Sequence, residues 1–251
     1  MEKSVPKSLD ILGIKPIADS INKLTTASVD GAAAFLSRIC LPAAEEFGLL
    51  LRDRVRYWRA LNIASVTHAA DEKLQRLGAP AGVHAHPRVT AKILEEGSWT
   101  DDSGVQDMWA GLLASSCTPE GRDDSNLIFI QLLSQISHIQ ARILNYSAEK
   151  ADKCLSQTGL LMAKDLSVTL DQLRGLTHED DIQRLDREMD HLRSLELIQG
   201  GFAADSASTD ADITPSALSL HMYGMRAATA FTAHQSISSA FNPNHRQRND
   251  A

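Results

Sequence analysis

TDDSGVQDMWAGLLASSC, residues 100–117, decides the architecture. Val105, Met108, Trp109, Leu112 and Leu113 recur at i, i+3, i+4, i+7 and i+8, one face of a 3.6-residue helix. Thr100, Asp101, Asp102 and Ser103 precede them as N-capping material. Downstream, after the polar loop TPEGRDDSN, the segment LIFIQLLSQISHIQARILNYS carries Phe129, Leu132, Leu133 and Ile136, then Ile139, Ile143 and Tyr146. That spacing predicts two helices with a break near Ser137. Upstream, Pro87 is placed as a first helical residue, and a short helix bearing Val89 and Ile93 ends at Gly97. A longer helix runs from about Pro42, with Phe47, Leu50, Leu51, Trp58 and Leu61 on one broad face and a break expected near Asn62. It stops at Leu77, before the C′ glycine and proline of Gly78-Ala79-Pro80. Residues 16–40 read as two short helices around a Thr-Thr-Ala-Ser stretch, their apolar stripes facing a core.

The last third changes character. Residues 158–176 and 179–196 read as two helices, the second with Ile182, Leu185, Met189 and Leu192 on one side. LELIQGGFA then alternates like a strand, an acidic loop DSASTDAD follows, ADIT returns as a strand, and Thr214-Pro215 caps a final helix. Helix, helix, hairpin and helix in this order predicts a winged helix-turn-helix. The expected fold is therefore mainly α. An N-terminal and central helical bundle is followed by a winged-helix-like C-terminal module with a small β-hairpin. The domain reading is a flexible N-terminus over 1–15, a helical domain over 16–156, the winged-helix-like module over 157–237 and a disordered tail over 238–251.

Composition agrees with a soluble helical protein: 251 residues, 43% hydrophobic and only 5% aromatic. The net charge of −7 opposes phosphate backbones and anionic membranes, which disfavours a general nucleic-acid partner. Cys40, Cys117 and Cys154 are odd in number and form no C-x-x-C, so a reducing cytosol is expected rather than a disulfide framework or zinc ribbon. Neither a secretory signal nor a transmembrane run is legible; the apolar stretch over 31–51 is broken by Arg38, Pro42, Glu45 and Glu46. The expected location is cytoplasmic.

The densest basic feature is RDRVRYWR, where Arg52, Arg56 and Arg59 at i, i+4 and i+7 share a face able to meet a phosphate or an acidic partner, with Tyr57 nearby for stacking. A solvated face paired with acids such as Asp53 is the competing reading. Elsewhere ordinary structural roles prevail. His84-x-His86 lacks a third ligand at motif spacing. His178 reads as the polar start of a helix, and His138 as a helix junction. Ser115-Ser116 lacks a nucleophile elbow, and Cys117 lacks a basic sequence partner, so both read as small core or near-core residues. Glu95-Glu96, Asp101-Asp102 and Asp123-Asp124 are adjacent rather than one helical turn apart and read as loop and helix-end charge. No catalytic residues, cofactor or metal site are assigned. A DNA-reading role for the C-terminal module is resisted by its charge, seven acids against three arginines over residues 178–196.

Several blocks in order resemble the abortive-infection alpha family, bacterial proteins associated with resistance to phage. They are LLLRDRVRYWRALN at 49–62, HPRVTAKILEEGSWTDDSGVQDMWAGLLASSC at 86–117, LIFIQLLSQISHIQARIL at 127–144, and LRSLELIQ with ITPSALSLH near the end. Trp109 and Leu112-Leu113-Ala114 carry the most specific part of the match. One departure is Ala217 in ITPSAL, where the family frequently has glycine, and the acidic loop before it is long. The resemblance implies defence in which an infected cell stops supporting the phage. It brings no catalytic residues, so the expectation is contact with a protein partner of phage or host origin. A nucleic-acid or nucleotide ligand on Arg52, Arg56 and Arg59, or a hydrolase assembled from distant residues, are the alternatives.

Overall fold

The computed structural model describes residues 30–40, 42–43, 54–80, 82–202 and 209–226, with the side chains of 54–56 outside the description. The readings for residues 1–29 and 238–251, and for the loop over 203–208, fall outside these residues. The chain is mainly helical, with short antiparallel strand pairs.

Helix α1 covers residues 30–39 and buries Ala32, Phe35, Leu36 and Ile39. Helix α2, Arg54–Arg76, is continuous through Asn62, where the sequence suggested a break. Asn62 is accommodated because its amide Nδ2 donates to the Ser98 carbonyl at 2.9 Å, so the buried polar group has a partner. Arg38 of α1 pairs with Asp71 of α2. Gly78 takes a left-handed φ of 60° just beyond α2, the conformation its sequence position implied.

Strand β1, His84–Ala85, pairs with β2, Cys117–Thr118. Between them lie α3, Pro87–Gly97, and α4, Ser103–Ser115. Asp102 caps α4, its Oδ1 accepting from the amides of Gly104 and Val105 at 3.0 Å each. From Met108 through Ala114 every residue of α4 is buried, so the helix must be enclosed all round. It packs against α2 and α3, then against α5 (Leu127–Leu133), α6 (His138–Lys150) and α9 (Ala217–Arg226). Gly97 lets α3 close on this helix: a Cβ there would stand 3.2 Å from the Trp109 ring. The break before α6 falls at Ser137, which forms a capping box with Gln140, as its position predicted.

Beyond α6 the expected helix over 158–176 gives way to β structure. Strand β3, Lys153–Leu155, and β4, Leu161–Ala163, form a hairpin with Cys154 opposite Met162 and Leu155 opposite Leu161. Its turn is closed by Gly159 at φ 83°, whose amide donates to the Ser156 carbonyl at 2.9 Å. Only Leu170–Thr177 is helical (α7), begun by a Thr169–Gln172 capping box. His178 ends α7 as a left-handed C-cap at φ 56° instead of starting the next helix; Asp181 caps α8, Ile182–Ser194. Strand β5, Ser167–Val168, pairs antiparallel with β6, Ala211–Asp212, while Phe202 bridges Ala211 and Ile198 bridges Pro215. Thr214 does not cap the last helix. Its Oγ1 accepts from Leu166 N–H at 2.8 Å, and Ser216 Oγ instead accepts from the Ser219 amide at 3.1 Å at the start of α9.

Cys117 sits in the core with its thiol directed to the Leu113 carbonyl at 3.4 Å. Burial pushes the thiol up to about 12 from its ordinary 9.0, a displacement that the Arg38 charge only partly offsets. The neutral thiol is thus favoured by folding. Its contribution is complete below the ordinary thiol range and is lost as pH rises towards 12.

Trp109→Ala is expected to cost about 3–5 kcal/mol in chemical denaturation, and Gly97→Ala about 1–3 kcal/mol through overpacking against the same ring. A surface-like effect of the first would refute the core role of Trp109. Iodoacetamide at pH 8 is expected to label native Cys154, which is exposed, and to reach Cys40 and Cys117 only after unfolding, as read by peptide mass spectrometry.

Candidate functional site

Of the three arginines singled out, only the Arg59 side chain is described. Arg52 lies outside the described residues, and Arg56 is on α2 with its side chain undescribed. Arg59 is turned towards the end of α3. Its Nε donates to Ser98 Oγ at 2.8 Å, its Nη2 donates to the Glu95 carbonyl at 3.3 Å, and its guanidinium lies 4.2 Å from the Trp99 ring centroid. A cation at the C-terminal carbonyls of α3 complements the helix dipole. On its other side Arg59 borders a groove of about 430 Å³ together with Pro42, Pro87 and Leu94.

This arginine belongs to a larger node. Ser98 is fully buried and donates from Oγ to the Glu95 carbonyl at 2.8 Å. Gln106 of α4 donates to the Thr100 carbonyl at 3.0 Å and accepts from Ser65 Oγ at 2.8 Å. These bonds pin the α3–α4 loop onto α2. The loop in turn holds Trp99 out: it is 55% exposed, with Trp58 (37% exposed) 6.5 Å away at 55° between ring planes. Sequence reasoning missed both tryptophans as surface features. The available signal was Trp99 standing outside the apolar period, between Glu95-Glu96 and Asp101-Asp102.

A second feature lies at the β3–β4 hairpin. Leu155, Leu160, Leu161 and Met162 are all exposed, Leu160 to 65%, and no charged residue occurs from 154 to 163. The hairpin base is fixed by Lys164 N–H to the Asp152 carbonyl at 2.9 Å and by Lys153 over the Tyr223 ring of α9 at 6.0 Å. Apolar side chains exposed together in this way commonly mark an interaction site. The legible signal was the turn Ser156-Gln157-Thr158-Gly159 between Cys154-Leu155 and Leu160-Leu161-Met162.

The remaining candidates have structural duties. His86 Nδ1 accepts from the Arg88 amide at 3.2 Å at the start of α3, and no group of His, Cys, Asp or Glu suited to a metal occurs among the described residues. Asn126 binds both Ser115 and Ser116 hydroxyls, at 3.2 and 2.8 Å. Asp123 accepts from the Ser125 amide, which holds its carboxyl below the ordinary range, while Asp124 faces Arg88 at 3.6 Å. On α8 the arginines meet acids of their own segment: Arg184 with Glu179 and Arg193 with Asp190, each at 2.7 Å, and Arg187 with Glu188 at 4.0 Å. No helix among the described residues is long and apolar enough to cross a membrane.

Comparison with known proteins found no matching curated protein and no matching solved structure. A family model described as abortive infection alpha does match, over residues 59–215. The match spans α2 to the last strand, and therefore includes the enclosed α4, the Trp99 loop and the exposed hairpin. Covering well over half of the chain, it places this protein in the abortive infection alpha family.

Proposed function

We propose that this chain is a bacterial, cytoplasmic anti-phage protein that arrests infected cells through protein–protein contact. Family membership supports the defence role. The observation that carries the contact mechanism is the β3–β4 hairpin, without a charge from 154 to 163 and with four large apolar side chains in water. Roughly 0.8 kcal/mol is recovered per methylene group covered, so a partner that buries this hairpin gains a substantial driving force. The charge of α8 supports the same reading, because its arginines are matched by acids instead of facing phosphates. Residues 157–237 are read as a winged-helix-like module serving as a packing element. The support is the order α7, α8, the bridged strands and α9, with Thr214 and Leu166 joining the strands.

A second reading, a nucleotide or nucleic-acid ligand on Arg52, Arg56 and Arg59, draws on the groove beside Arg59. Its signature is salt-dependent binding of RNA or nucleotide that Arg59→Ala abolishes.

Phage challenge tests the first reading. Bacteria carrying the wild-type gene are expected to survive at low phage-to-cell ratio and collapse at high ratio, unlike bacteria with an empty vector. A Leu160→Ser/Met162→Ser variant is expected to lose that protection while its folding stability stays within about 0.5 kcal/mol of wild type, as for exposed sites. Absence of protection by the wild type across a broad phage panel would refute the defence role. Full protection by the hairpin variant would refute the hairpin as the contact.

A further inference from the structure

Trp99 already binds one cation inside the molecule, the Arg59 guanidinium, and it also lines a surface cleft of about 280 Å³ between the α3–α4 loop and the start of α6. The walls of that cleft include the carboxylates of Glu96, Asp101 and Asp102 and the imidazole of His138, and no lysine or arginine. Asp102 is committed to capping α4, whereas Asp101 is exposed and Glu96 half-buried. Val105, Trp109 and Ile136 lie beneath, nearly buried, so the surface that the cleft offers is mainly the Trp99 ring and polar groups. An exposed indole ring beside two carboxylates makes a receptor for a cationic head group.

We propose that this cleft receives an arginine side chain from a protein partner, its guanidinium against Trp99 and the carboxylates of Glu96 and Asp101. The proposal rests on the protein-contact reading and adds to it the chemistry of the partner. Charge decides the occupant: the lining repels phosphate and attracts a cation, and arginine offers the planar head that both stacks on indole and bridges carboxylates. The site is also prepared for binding, because Ser98 and Asn62 fix the backbone on the N-terminal side of Trp99 before any partner arrives.

The test uses the full chain and a blocked peptide, acetyl-Gly-Arg-Gly-Arg-Gly-amide, titrated at low salt while the Trp99 indole N–H signal is followed by NMR, its assignment made with Trp99→Leu. The expected result is a saturable shift of that signal. Affinity, read by calorimetry for every form of the chain, should fall about ten-fold or more in Trp99→Leu and in Glu96→Gln/Asp101→Asn. The second variant leaves the packing of the loop intact, so a loss there reports the carboxylates. The proposal is overturned if the signal stays still or if the glutamate version of the peptide moves it equally. Equal binding by either variant, or a larger shift with an RNA oligonucleotide, overturns it too. Protection in culture reads the defence role and the titration reads the cleft, so a chain that binds the peptide but fails to protect cells refutes only the former.

Discussion

The enclosure of α4 is the constraint on which the rest of the molecule depends. A helix apolar along one stripe needs one neighbour, whereas seven consecutive buried residues from Met108 to Ala114 need neighbours on every side. Helices α2, α3, α5, α6 and α9 supply them, drawn from both halves of the described chain. The closeness of this packing fixes residue size at the contacts: Gly97 is a glycine because α3 ends against the Trp109 ring. It also dictates what happens to polar groups trapped between helices. Asn62, Ser98 and Asn126 are each buried and each hydrogen-bonded, so the core gains definition without leaving a costly unpaired amide.

The two surface features stand in different relations to that core. Trp99 is one residue beyond Ser98 and four before the first residue of α4, so its backbone is held by the same bonds that seat α4 against α2. The β3–β4 hairpin is held through Asp152 at its base and through contact with α9. A hairpin of three-residue strands has little stability of its own, which makes its four exposed apolar side chains costly unless they serve a contact.

Legibility in the sequence followed the range of the interaction. Helices α3, α4 and α6 were legible with their starts because the signals are local: Pro87 at a first helical position, Asp102 before an apolar stripe, Ser137 three residues before Gln140; α5 ends at Leu133, short of the Ile136 that its spacing suggested. The helix over 158–176 was misread because Leu160, Leu161 and Met162 also suit a helix. Their strand conformation is set by pairing with Lys153–Leu155 across a Gly159 turn, a non-local partner that periodicity does not report. Thr214 illustrates the same limit. Next to Pro215 it has the sequence of a helix cap, yet its hydroxyl is taken by Leu166, 48 residues away, and the cap passes to Ser216. At the candidate site Arg59 was visible as a cation but its direction was not. Burial of Ser98 and exposure of Trp99 arise from how α2 meets the α3–α4 loop.

That meeting also explains why a cation and an acidic cleft share one tryptophan. Arg59 neutralises the carbonyl end of α3 and covers part of the indole, while Glu96 and Asp101 remain on the cleft side without an arginine or lysine in its lining. The fold thus spends its own guanidinium on the helix end and leaves the carboxylates to whatever enters from solvent. The carboxylates beside this indole contribute little to the isolated chain, since both remain in contact with solvent. A cation that displaces water from the cleft lowers the local dielectric, which strengthens its attraction to the carboxylates, and covers the ring in the same event. The geometry around Trp99 is therefore better suited to recognition than to stability.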